Sequence, residues 1–403
     1  MFQRVLGGPR TLRYKGASLP AKAMSHRVYL DWNATAPLRP QARDAASAAL
    51  DVVGNPSSVH AEGRAARRWV EAAREQVAAL AGGEVRNVVF TSGGTEANVL
   101  ALTPAVGARL LVSAIEHPSV LAGGRFAAEQ IERLPVTASG QIDLSALQHR
   151  LAAAEGKVLV SLMLANNETG VVQPISEAAQ LVHEAGGLLH VDAVQAAGRI
   201  PCDINVLRAD LLTLSGHKIG ATKGVGALIK RDPALHIDPL IKGGGQERGA
   251  RGGTENVAAI AGFGAAAAAA LAGLAAESAR MLALRRRLEA ALKAVSPGAV
   301  IFGGEAERLP NTTLVAQPGM KAETAIIAFD LDGVAVSSGA ACSSGKVQPS
   351  HVLAAMGVPP GLARGAIRVS LGPTTTESDI DRFIEAWIKV SAALLKESQG
   401  IAA

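Results

Sequence analysis

Cysteine is nearly absent from this chain: Cys202 and Cys342 are the two in 403 residues, too few for a disulfide scaffold. No Cys-x-x-Cys pair of the kind that holds structural zinc occurs, so no metal site is expected and a reducing, cytoplasmic setting is. Aromatic residues are also scarce, at 3%. Charge of one sign is missing from nearly the whole length, because the formal excess of +5 equals Arg4, Arg10, Arg13, Lys15 and Lys22 in the acid-free stretch 1–24. A neutral body without interleaved aromatics argues against a nucleic-acid partner, which needs a basic face and often stacking rings. Long hydrophobic runs are lacking too. The one uncharged run of 20 residues, Val257–Ala276, is mostly Ala and Gly, with Val257, Ile260, Phe263, Leu271 and Leu274 as its large apolar residues. It reads as a buried Ala-rich helix, and no membrane contact is expected.

What is present is a composition of 48% hydrophobic and 19% charged residues, enough for one large or two ordinary domains. Residues 1–24 are set outside the fold, as an extension or a misassigned start, since Met24 opens a better-formed run; a leader for organelle import stays open. The run 57–81 has helical spacing and stops at Gly82-Gly83. Short apolar runs of buried-strand length follow at Asn87–Phe90, Arg109–Ala114, Val158–Leu164, Leu188–Val191, Leu211–Leu214 and Val225–Ile229, several alternating with helical stretches such as Ser176–Ala185. That alternation predicts an α/β fold with a mainly parallel sheet, whose strand ends should carry the chemistry. A second, α+β unit is expected from a helix through Met281–Ala294, strands at Thr312–Val315 and Ile367–Leu371, and helices at Glu323–Leu331 and from about Glu377 to Lys396. Thr376 and Asp379 give the last helix a capping box. The division expected is 38–275 for the large domain and 25–37 with 276–403 for the small one.

The residues just after the predicted strands have the types a reaction centre would use. Thr91-Ser92-Gly93-Gly94-Thr95-Glu96 leads into a helix expected at about Ala97, a glycine-rich turn whose free N–H groups suit a phosphate or simply cap a helix. His117 follows the second run, where a lone histidine is as readily structural. Asn166-Asn167-Glu168-Thr169-Gly170 follows the third and Asp192-Ala193-Val194-Gln195 the fourth, where Asp192 could cap the next turn or serve as a carboxylate in a cleft. Ser215-Gly216-His217-Lys218 ends the fifth. A lysine there is either snorkelling or a buried Schiff-base former with lowered pKa. Phosphate cradle, ring partner, carboxylate and amine together are the set that pyridoxal phosphate requires. A dinucleotide would need Gly-x-Gly-x-x-Gly in a strand–turn–helix with an acid about 20 residues on, and the glycine cluster at 243–249 does not supply it.

The wording and order of TSGGTEAN (91–98), IEHPSV (115–120), NNETGVVQPI (166–175), HVDAVQ (190–195), SGHK (215–218), GGGQERGARGGT (243–254), SSGAACSSG (337–345) and RVSLG (368–372) resemble the cysteine desulfurases, in the group that includes nitrogen-fixation and housekeeping iron–sulfur enzymes. The likeness covers roughly residues 28–390. It implies a homodimeric, fold-type I pyridoxal phosphate enzyme of the class V aminotransferase superfamily, with a seven-stranded sheet. The implied reaction turns L-cysteine into L-alanine and leaves the sulfur on an enzyme cysteine, for an iron–sulfur scaffold or thiolation protein. By position, Lys218 resembles the coenzyme-bearing lysine, Asp192 the partner of the ring nitrogen, and His117 the stacking and proton-transfer histidine. Gly94, Thr95, Ser215 and His217 match the phosphate site, with Thr254 reaching it from the other subunit, and Gln195 matches the contact to the phenolic oxygen. Asn167 and Arg368 match the substrate-carboxylate contacts, and an arginine fork suits a planar carboxylate. Cys342 falls on the catalytic cysteine, among small residues that leave its loop free to move, while Cys202 stays structural.

The stretch Ile219-Gly220-Ala221-Thr222-Lys223-Gly224 departs from the family in lacking its Tyr and Pro, and Lys242 and Gln246 stand where histidines are common. Two other readings remain: another enzyme of the superfamily, an aminotransferase or selenocysteine lyase that needs Lys218 and Asp192 but not Cys342, and a catalytically silent partner in a sulfur-transfer assembly.

Overall fold

The computed structural model describes residues 27–339 and 349–400. In chain order the strands are β1 (Val28–Tyr29), β2 (Val88–Thr91), β3 (Arg109–Ser113), β4 (Ile131–Leu134), β5 (Val158–Met163), β6 (Leu188–Asp192), β7 (Leu211–Ser215), β8 (Gly226–Lys230), β9 (Val300–Ile301), β10 (Thr312–Ala316), β11 (Val334–Ala335), β12 (Ser337–Ser338) and β13 (Ala366–Ser370). A seven-stranded sheet runs in the order β2-β8-β7-β6-β5-β3-β4. Within it β8 is antiparallel to both neighbours, and the other pairs are parallel. Central strands such as β5 are buried at every position, as the continuous apolar runs require of a sheet covered on both faces. β4 is the strand the sequence does not announce. Its Ile131-Glu132-Arg133-Leu134 lies at the sheet edge with partly exposed side chains, so polar residues were acceptable there.

One helix, Val257–Val295, replaces the two expected around residues 257–276 and 281–294. Ala, Leu, Glu and Arg are strong helix formers, Glu277-Ser278-Ala279-Arg280 between the two stretches holds no glycine or proline, and Gly262, Gly264 and Gly273 do not outweigh them. Its first half packs Ala259, Ile260, Phe263 and Ala266 into the core under the large sheet. Its second half places Leu284, Leu288 and Leu292 in another core. The expected boundary near residue 275 thus falls inside a continuous helix. The helix is long and apolar enough to cross a membrane, yet its small residues have a local use. A Cβ at Gly264 would come within 2.5 Å of Ala73 Cα on helix Ala61–Ala81, and one at Gly262 within 3.1 Å of Ala42 O on helix Pro40–Leu50. The Ala and Gly content lets three helices touch closely.

The second core gathers Val28, Leu30, Val315, Phe329, Ile367, Val369, Phe383 and Trp387 around the sheet β12-β13-β10-β9. β1 pairs in parallel with β11. Rings of Phe329 and Phe383 stack with centroids 5.5 Å apart, and Trp387 Nε1 donates to Ser296 Oγ at 2.8 Å. The capping box is present: Asp379 Oδ2 accepts from Thr376 N–H at 2.8 Å, and Thr376 Oγ1 accepts from Asp379 N–H at 3.3 Å.

Between the sheet and the glycine-rich segment sits a buried ion pair. Glu247 binds Arg74 through two contacts of 2.7 and 2.9 Å, and its Oε2 also accepts from Phe90 N–H at 2.8 Å. Both side chains are under 5% exposed, at 4% and 2%. Removing one member strands a charge in the interior, so Glu247→Ala is expected to lower stability by about 3–5 kcal/mol in urea unfolding, while Arg74→Met with Glu247→Leu recovers most of it. A single variant as stable as the parent would show that the pair does not pin this segment.

Candidate active site

The carboxyl ends of β2, β3, β5, β6 and β7 surround a cavity of about 650 Å³. Lys218, His117, Gly94, Thr95, Asn167, Asp192, Gln195, Ser215 and His217 all line it, so the strand-end rule gathers nine of the named residues in one place. Arg368 and Thr254 do not line it. Cys342 lies outside the described residues.

Helix Gly94–Ala101 starts at Gly94 rather than near Ala97. Glycine permits the early start, since a Cβ at Gly94 would come within 3.0 Å of Val194 Cγ2 and 3.2 Å of Ser215 Cβ. The uncapped N–H groups of its first turn therefore open on Thr95, Ser215 and His217, a polar cup of the kind that holds a phosphate. His217 Nδ1 contacts Thr35 Oγ1 at 3.2 Å, and burial, with Lys218 and Lys223 nearby, lowers its pKa to about 4. It is a neutral ligand at physiological pH.

Asp192, 5% exposed at the end of β6, accepts from Asn98 Nδ2 at Oδ2 (2.8 Å) and from Val194 N–H at Oδ1 (3.0 Å). Under it His190 is fully enclosed, bonded to Ser161 Oγ at 2.8 Å and Thr213 Oγ1 at 2.9 Å, and burial lowers its pKa to about 4. Lys218 Nζ donates to the carbonyls of Asn33 (2.5 Å) and Ala34 (3.0 Å). Desolvation, reinforced by Arg368 and Arg199 against Asp31 and Asp192, brings its pKa down to about 7. A lysine of that kind supplies free amine near neutral pH.

Arg368 reaches the rim from β13. Its Nη2 binds Asp31 Oδ1 at 2.8 Å, its Nη1 binds Asn167 O at 2.9 Å, and its buried Nε has no partner. Gln195 donates from Nε2 to Asn33 O at 3.0 Å and accepts from Arg199 Nη1 at 2.7 Å. Arg199 is buried against backbone carbonyls without an acid, which lowers its pKa to about 9. Thr254 lines a neighbouring pocket of about 180 Å³ that shares Ser92, Gly224 and Val225 with the cavity.

Two buried carboxyl groups stand behind the cavity. Burial pushes Glu116 well above the usual carboxylate range; its Oε1 accepts from Met163 N–H at 2.8 Å, and Asp192 adds to the shift. Glu168 is also raised by burial, and its Oε2 accepts from Ser350 Oγ at 2.5 Å. A Cβ at Gly339 would lie 2.4 Å from the same oxygen. Gly339 and Ser350 thus both lie against Glu168, the neighbour of cavity-lining Asn167. His351, next along, contacts Glu116 O at 3.0 Å.

Sequence reasoning missed Asp31, Asn33, Asn98, Ser119, Arg199 and Glu168. Only Asn98 carried a signal, sitting on the helical face of Thr95 one turn on. The others act through tertiary contacts between distant segments. Cys202 is buried, donates to Leu80 O at 3.5 Å and has its thiol pushed up to about 12 by desolvation, an inert structural thiol.

The sequence profile described as "Aminotransferase class-V" matches residues 28–383. A protein named "Cysteine desulfurase" from Cereibacter sphaeroides is 45% identical over 370 residues, covering 89% of this chain and 94% of that protein. "Cysteine desulfurase NifS" from Azotobacter vinelandii is 40% identical over 367 residues, covering 89% and 90%. Among solved structures, a NifS-like protein from Rickettsia africae ESF-5 superposes with a TM-score of 0.85 at 40% identity, covering 91% of this chain and all of that one.

Proposed function

Because the chain belongs to the class-V aminotransferase family and, within it, to the cysteine desulfurases, we propose that the residues of this cavity bind pyridoxal phosphate and L-cysteine and that Cys342 receives the substrate's sulfur. The observation that carries the reading is the juxtaposition of Lys218, with a pKa lowered to about 7, and Asp192, bonded to Asn98, in one cavity with a phosphate cup.

The donor set fits the coenzyme. The N-terminus of helix Gly94–Ala101, Thr95, Ser215 and neutral His217 would hold the phosphate, Asp192 would accept from the ring nitrogen, and Lys218 would offer the amine. Bound pyridoxal phosphate supplies an electron sink that acidifies the substrate's α-hydrogen and weakens its carbon–sulfur bond. Lys218, whose amine is free near neutral pH, would move the α-proton at Nζ. Arg368 would orient the substrate carboxylate together with Asn167, whose carbonyl its Nη1 binds at 2.9 Å.

The thiolate of Cys342 attacks the substrate sulfur. The carbon–sulfur bond breaks, its electron pair stays with the carbon skeleton, and that skeleton takes up one proton at Cβ, regains the α-proton from Lys218 and leaves as L-alanine. The transferred sulfur remains on Cys342 as a persulfide. In sequence Cys342 lies three residues after Gly339, which packs against Glu168. A homodimer fits the placement of Thr254, which faces a pocket beside its own chain's cavity and is available to a second copy. The persulfide would pass to an iron–sulfur scaffold or thiolation protein. Stoichiometric alanine from cysteine, with sulfur recovered on the protein or as sulfide under a reductant, tests the assignment; alanine absent in coenzyme-loaded protein would refute it.

The lysine pKa sets a pH dependence. Below about 7 Nζ is protonated and unreactive toward the coenzyme's aldehyde; above it the amine is free. Coenzyme uptake by apoprotein should therefore accelerate about tenfold per pH unit up to about pH 7 and then level off. A rate still rising tenfold per unit above about pH 8 would mean that the amine is not depressed.

A further inference from the structure

The hydrogen bonds at His117 run on past the cavity. Its Nδ1 accepts from Ser119 N–H at 3.2 Å and contacts Ser119 Oγ at 2.7 Å. Ser119 Oγ in turn meets Asn98 Nδ2 at 3.0 Å, and the same amide nitrogen reaches Asp192 Oδ2 at 2.8 Å.

The chemistry of the groups assigns every proton in this chain. A backbone N–H can only donate, so His117 Nδ1 is the bare nitrogen and Nε2 carries the hydrogen. An ionised carboxylate can only accept, so Asn98 turns its NH2 toward Asp192; the reversed amide would set two acceptors 2.8 Å apart. Asn98 holds this orientation although its Oδ1 is buried without a donor, so the carboxylate, not its own carbonyl, decides the rotamer. With its lone pair taken by Asn98, Ser119 Oγ has its proton free for His117 Nδ1.

We propose that Ser119 and Asn98 are positioning residues that lock His117 in the Nε2–H form, presenting a hydrogen-bond donor to the cavity, and tie its orientation to Asp192. The N–H of Ser119 occupies the place where a second proton would bind, so the imidazolium form is disfavoured at Nδ1. Desolvation acts in the same direction on His117, opposed by Asp192 and reinforced by Lys218 and His351; neighbouring Glu116 faces Met163 N–H. In this arrangement His117 begins the reaction as a proton holder and donor at Nε2, not as a base. The inference builds on the functional reading above, but its first test needs neither coenzyme nor cysteine.

That test is the ¹⁵N spectrum of histidine-labelled apoprotein, with the His117 signals identified by their loss in His117→Gln. One protonated Nε2 and one bare Nδ1 are expected from about pH 6 to 8. Ser119→Ala keeps the backbone N–H and removes the shorter hydroxyl contact, so the His117 midpoint should move upward while Nδ1 stays the bare nitrogen of the neutral ring, and Ser119→Thr should restore the midpoint. In loaded enzyme, Ser119→Ala should lower kcat about tenfold, with KM for cysteine little changed, and shift the pH profile with the midpoint. A protonated Nδ1 in the parent protein, or an unchanged His117 midpoint and pH profile in Ser119→Ala, would overturn the proposal. A chain that showed the expected tautomer yet released no alanine would keep the relay and refute the functional reading alone.

Discussion

Replacing Lys218 with alanine is expected to abolish turnover of cysteine, lowering kcat by roughly 10³–10⁴-fold or more, and to remove the absorbance of lysine-linked coenzyme. Two functions meet in this side chain, covalent attachment and transfer of the α-proton, and no other lysine amine enters the cavity with comparable burial. Lys223 also lines it but is exposed, and of the two only Lys218 bonds the Asn33 and Ala34 carbonyls. Lys218→Arg should be nearly as damaging, because guanidinium keeps the positive charge but stays protonated and forms no imine. Since Arg retains the charge facing Asp192, equal loss in both variants assigns the effect to the amine and not to local electrostatics. Substantial activity in Lys218→Arg would place the coenzyme link elsewhere.

Cys342→Ser is expected to leave coenzyme binding and the spectral response to cysteine intact while lowering alanine formation by roughly 10³-fold or more. In the proposed reading binding rests on Asp192, Lys218 and Asn167, which line the cavity, and on Arg368, which bonds Asn167, and the substitution touches none of them. Serine keeps the size and loses the nucleophile: a hydroxyl stays protonated at neutral pH and is a poor partner for sulfur. This separation distinguishes sulfur transfer to the enzyme from the chemistry of superfamily relatives that need only the lysine and aspartate. Undiminished alanine release by Cys342→Ser would assign the protein to those relatives.

The central sheet was legible because its strands are buried on both faces, which writes them as unbroken apolar runs ending in polar residues. β4 escaped because an edge strand can be polar, and the long helix was divided because its composition changes where it passes from one core to the other. The same logic separates the site residues. Lys218, Asp192, His117 and Thr95 stand directly after strands, where sequence order alone predicts a cleft. Asp31 and Asn33 could not be read, because their partners Arg368, Lys218 and Gln195 lie more than a hundred residues away and only the folded chain joins them. Asn98 and Ser119 carry no charge, and although both lie within the quoted motifs 91–98 and 115–120, their roles come from the atoms between which they sit.

The most direct measurement is mass spectrometry of coenzyme-loaded protein after brief exposure to L-cysteine, followed by alkylation and peptide mapping. The account predicts the mass of one additional sulfur atom on the peptide containing Cys342, removable by a thiol reductant, with Cys202 unmodified. Cysteine consumed and alanine formed with no sulfur on Cys342, or sulfur carried by Cys202 instead, would contradict it.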